Sequence, residues 1–225
     1  MVLRAPQTGK SAPVASLSLA HAALRAGNSA TARQMLQDRL ADNPFDADAL
    51  HMLADVAAGQ RSFEEATILL RRAVAVDPSP DRRIALIQHL QLYTNPATAL
   101  TEIEQLPQAV RDRFEVRATE AHILGILGLH EQQIRLYQQM LRQQSDKPGL
   151  WVSLANALKT VGRTAEAIKA LQRAIKVQPT YGDGWWTLAN FKSYRFSTRD
   201  LRDMNQALRG CRSPEDALHI HIALG

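Results

Sequence analysis

At 225 residues with 45% apolar side chains, the chain can bury a sizeable core, and it is too apolar for a disordered segment. Its formal charge of +5 is mild and spread along the sequence, without the dense basic stripe interleaved with aromatics that a nucleic-acid binder carries. One cysteine, Cys211, excludes an intrachain disulfide and fits a reducing compartment.

Met1 to Pro13 contains Arg4 and Lys10 but no following apolar run of signal-peptide length, so residues 1–12 read as a flexible tail. No stretch reaches the roughly 20 apolar residues of a membrane span, which predicts a soluble, cytoplasmic chain without membrane contact. Thr8-Gly9-Lys10-Ser11 suggests a phosphate loop, yet Arg4 stands where that loop needs its first glycine, and no strand pattern precedes it.

From residue 13 onward one period organises the sequence. Ala32 and Ala66, Leu36 and Leu70, and Pro44 and Pro78 each lie 34 apart. Leu124 and Leu158, Gly128 and Gly162, Trp151 and Trp185, and Leu154 and Leu188 keep the same interval. The period predicts repeats at 13–46, 47–80, 81–113, 114–147, 148–181 and 182–215. Each is a pair of antiparallel helices that cannot bury its apolar faces alone and must stack on the next. The third repeat is one residue short, and the loss falls in the turn Tyr93-Thr94-Asn95-Pro96. In the sixth, Tyr194-Arg195-Phe196-Ser197 replaces a glycine turn, and Ser197 with Asp200 predicts a fresh helix start. Ser213-Pro214-Glu215-Asp216 opens another helix, so 216–225 reads as the start of a further repeat cut short.

The segment 148–181 carries the fullest pattern. Trp151, Leu154, Ala155 and Leu158 mark a first helix, Gly162 the turn, Ala167, Leu171 and Ala174 a second helix, and Pro179 its end. On these residues the chain resembles the tetratricopeptide-repeat family over nearly its whole length. The resemblance implies an all-α, right-handed superhelix, or solenoid, of about six repeats, with a concave face that binds proteins or peptides. The groove-lining face of each first helix then carries His21, Asp55, His89, His122, Asn156 and Asn190. Amide and imidazole groups both donate and accept hydrogen bonds, so such a row can hold an extended peptide backbone. The family's lysine-rich carboxylate clamp is not reproduced, since Val152 occupies one of its places, although Lys159 and Lys192 are near.

The stretch from Tyr181 to Ser197, together with His219 to Gly225, also looks like the junction in bacterial proteins that fuse tetratricopeptide repeats to a C-terminal sulfotransferase domain. That resemblance implies a longer enzyme using 3′-phosphoadenosine 5′-phosphosulfate as sulfuryl donor. None of that domain's catalytic or cofactor motifs lies in these residues. No nucleophile–base pairing stands out, and the seven histidines show no three-ligand spacing, so no catalytic, cofactor or metal residue is expected here. The expected role is therefore a protein- or peptide-binding scaffold. A structural spacer, or a module that self-associates through its C-terminal end, is the alternative.

Overall fold

The computed structural model describes residues 13–225, with side chains from Leu17 onward. The tail and its Thr8-Gly9-Lys10-Ser11 motif lie outside the described residues. Those described form fourteen α-helices and one π-helical turn, with no strand among them. They divide into two compact units, one ending at Arg111 and the other spanning Asp112–Gly225.

The first unit begins with two helix pairs, α1 (Pro13–Arg25) with α2 (Ser29–Asp42) and α3 (Ala47–Gly59) with α4 (Phe63–Val76). Local chemistry sets the helix starts. The side chain of Asn28 accepts from the Thr31 amide at 3.2 Å, and that of Asp46 from the Ala49 amide at 2.9 Å. Each cap satisfies a backbone donor that the first helical turn leaves without an internal partner. Gly27 closes the first turn at φ +77°.

The third pair is irregular. Helix α5 (Pro80–His89) widens into a π-helical turn, Leu90–Thr94, before α6 (Pro96–Glu104) and the short α7 (Gln108–Arg111). Asn95 alone links the π turn to α6; its side chain caps Thr98 at 3.0 Å, and Pro96 follows at the first helical position. One linking residue does the work of a three-residue turn, which accounts for the shortened period.

The second unit holds α8 (Phe114–Ile126) with α9 (His130–Gln143), then α10 (Pro148–Thr160) with α11 (Thr164–Val177). Gly128 and Gly162 turn these pairs at φ +71° and +79°. Three helices follow: α12 (Gly182–Ala189), α13 (Thr198–Gly210) and α14 (Pro214–Leu224).

Small residues sit where helix axes come close. Ala20, Ala32, Ala66 and Ala99 of the first unit are fully buried, as are Ala121, Ala155, Ala167 and Ala174 of the second. Larger side chains fill the space between neighbouring pairs: Leu36, Leu70 and Ile103 in one unit, Tyr137 and Leu171 in the other. Each such side chain contributes roughly 1.5–3 kcal/mol by leaving water.

The end of the second unit departs from simple pairing. Helix α12 packs chiefly on α14. A Cβ built on Gly182 would lie 2.2 Å from the Asp216 carbonyl oxygen, and one on Gly184 would lie 3.3 Å from Ile175. The two glycines let α12 press against α14 on one side and α11 on the other. The Gly182 amide donates to the Asp216 carboxylate at 2.8 Å, which ties the two helix starts together. Trp185, Met204, Ala207, Ile220 and Ala223 form the core beneath them. Ser197 and Asp200 make a reciprocal capping box at the start of α13.

Candidate functional site

The first helices of successive pairs present one polar row in each unit. In the first unit, His21 on α1 and Asp55 on α3 are exposed and share a cavity of about 420 Å³ with His51 and Met52. Asp55 reaches solvent inside this concavity, where protein on several sides thins its hydration. That desolvation raises its carboxyl above the ordinary carboxylate range, while attraction from His51 and His89 acts the other way.

His89 does not join the row. Its ring is buried, and Nε2 lies 2.9 Å from the Phe63 carbonyl oxygen. The Phe63 and Tyr93 rings stack at 4.4 Å, with His89 tilted against Tyr93 at 5.3 Å. The cause is the π turn after α5, which brings Tyr93 over His89. The imidazole expected in the groove is a core group bonded to the start of α4.

In the second unit His122, Asn156 and Asn190 are all exposed, on α8, on α10 and at the end of α12. Their flanking residues are not: Ala121 and Ile123, and Ala155 and Ala157, are buried. Polar exposure at these positions is therefore confined to one strip of each helix. The Asn190 amide nitrogen donates to the Trp186 carbonyl at 3.0 Å, which fixes the rotamer and leaves the side-chain oxygen to accept.

Two aromatic contacts sit beside the asparagines, and sequence spacing did not single them out. Lys159, one turn after Asn156, places its ammonium 4.8 Å from the Phe191 ring centre. Trp186 stacks on His219 at 5.4 Å, joining α12 to α14. Phe191 stands 34 residues after Ala157 and Trp186 34 after Val152. Periodic comparison sees only a change of size there, and the pairing partners come from other helices.

Other expectations concern chemistry. Among the described residues no group of three or more His, Cys, Asp or Glu side chains could hold a metal ion. His219 and His221 diverge, the first under Trp186 and the second exposed. No described helix is long and apolar enough to cross a membrane.

Residues 17–82 match one tetratricopeptide-repeat family model, and residues 148–191 match another. The chain carries tetratricopeptide repeats. Solved structures of similar fold include YrrB, a tetratricopeptide-repeat protein with an unusual peptide-binding site, at a TM-score of 0.62 and 15% identity over 77% of this chain and 90% of that one. MamA superposes at a TM-score of 0.65 and 14% identity, over 82% of this chain and 98% of its own. At these identities the likeness is one of fold. Among curated proteins, cellulose synthase operon protein C of Pseudomonas fluorescens (strain SBW25) is 27% identical over 180 residues. The match takes in 76% of this chain, which spans 14% of that relative's length.

Proposed function

We propose that this tetratricopeptide-repeat chain is a scaffold that binds a protein or peptide along the first-helix faces of its repeats. The observation that carries this reading is the strip of exposed polar side chains, His122, Asn156 and Asn190, between buried neighbours on α8, α10 and α12. Two asparagines one repeat apart can bond successive backbone groups of an extended segment, and Lys159, steadied over Phe191, adds a cation beside them. In the first unit His21 and Asp55 serve the same purpose; His89, buried, does not. The fold's likeness to YrrB, whose peptide-binding site is described as unusual, supports a peptide as ligand.

The test is a peptide selected from a random library on the intact chain, titrated against Asn156→Ala/Asn190→Ala. Each lost hydrogen bond is worth roughly 0.5–1.5 kcal/mol, so affinity should fall about tenfold or more with the melting temperature held. Arg135→Ala, on an exposed position of the second helix α9, serves as control and should change nothing. A lower melting temperature with unchanged affinity would make the asparagines scaffold residues. A mass that rises with concentration, with no peptide selected, would favour the self-association or spacer reading.

A second reading has its own observation. The two segments that resemble a sulfotransferase-fusion junction, 181–197 and 219–225, pack on each other through α12 and α14, with Trp186 on His219. We take them as one module that leads from the repeats toward a sulfotransferase domain in a longer protein. The reading frame downstream of Gly225 tests this: a sulfotransferase domain there supports it, and any other domain refutes it.

A further inference from the structure

The second-helix side of the second unit carries a cleft that recurs with the repeat. Between α9 and α11 a cleft of about 560 Å³ is floored by Trp151 and Leu154, with Gln138 on one wall. Between α11 and α13 another, of about 660 Å³, is floored by Trp185 and Leu188, with Gln172 on the wall. Each of these residues stands 34 after its counterpart. Both indole N–H groups are already committed, Trp151 to the Ser145 carbonyl and Trp185 to the Pro179 carbonyl, each at 2.9 Å. The floors therefore offer ring surface rather than a donor.

The far walls differ in charge. In the first cleft α11 contributes Lys169, Arg173 and Lys176, which recur at helical spacing and so form a stripe along one face. All three are exposed, and among the described residues no carboxylate lies within 4.0 Å of them. The one acid on that wall, Glu166, is held by Arg163 through two hydrogen bonds of 2.7 Å. In the second cleft Asp203 and Ala207 occupy the places of Lys169 and Arg173. The basic stripe thus belongs to one repeat, while the aromatic floor belongs to both.

We propose that the α9–α11 cleft is a second docking site, for an acidic segment of a partner protein. Carboxylates of the segment meet Lys169, Arg173 and Lys176, and an apolar side chain lies on Trp151 and Leu154. Charge complementarity selects this occupant, and the site is independent of the first-helix strip.

The experiment is fluorescence anisotropy of a short labelled peptide of alternating glutamate and leucine on the intact chain. A glutamine-for-glutamate version and a random single-stranded oligonucleotide are measured beside it. The acidic peptide should bind and weaken as salt rises, because exposed charges are screened. Lys169→Glu/Arg173→Glu should reduce its affinity at least about tenfold with the melting temperature unchanged. Asn156→Ala/Asn190→Ala should leave it unaffected. Absence of binding overturns the proposal, as does equal binding of the glutamine peptide, which would leave the stripe without a role. Equal binding of the oligonucleotide would reduce the stripe to a general polyanion surface. Loss of binding on the asparagine substitutions alone would return the acidic peptide to the first-helix face.

Discussion

Arg61 holds φ +61° at the turn between α3 and α4, 34 residues after Gly27 and at the place that Gly128 and Gly162 fill in later repeats. A side chain in that region of backbone space costs roughly 1–2 kcal/mol, so Arg61→Gly should stabilise the first unit by about 1 kcal/mol in urea unfolding. A Cβ added at Gly162 meets nothing within 4 Å, so Gly162→Ala should cost about 1 kcal/mol from conformation alone. Equal stability in both variants would mean that the turn does not set the helix hairpin. Asp55 gives a pH-dependent test. Its folded-state carboxyl is raised by desolvation, so its favourable contribution is complete below the unfolded value and is lost as pH rises through the raised one. Asp55→Asn should raise the melting temperature at neutral pH and leave it nearly unchanged in acid below both values. A lower melting temperature at neutral pH would contradict the desolvated site.

Helix starts and helix contacts are where single side chains hold two things at once. Asp46 caps α3 and also pairs with Arg39 at the end of α2, with both side chains largely buried. Asp46→Ala should destabilise the first unit by about 2–4 kcal/mol, since it removes a cap and strands a guanidinium. A loss below 1 kcal/mol would show that solvent satisfies Arg39. In the second unit Ala155 is fully buried between helices, and Ala155→Trp should cost roughly 1–3 kcal/mol or more by overpacking. Gly182→Ala forces a methyl against the Asp216 backbone, so amide exchange should speed up in α14 while α9 keeps its protection. These contacts differ in how well the sequence announces them. The alanine ladder is legible from period alone, because a buried methyl must recur wherever helix axes recur. The fit of Gly182 on Asp216 is not, because it depends on α12 pairing with α14, across the 34 residues that separate them, rather than with the adjacent α13.

At the scale of the molecule, the all-helical repeat fold was legible from spacing, and the candidate site only in part. Asn156, Asn190 and His122 emerge exposed on the strip that spacing assigned to them, whereas His89 turns inward. A period records which helix face a residue occupies, and it cannot record that one missing residue converts the end of α5 to a π turn. The Lys159–Phe191 and Trp186–His219 contacts escape it for a related reason, since both replace small or aliphatic residues of the preceding repeat. The claim that binding uses the first-helix faces is tested most directly by mapping backbone amide shifts as a library-selected peptide is added. The account predicts changes centred on His122, Asn156, Asn190 and their helices α8, α10 and α12. Changes confined to the second helices α9, α11 and α13 would contradict it.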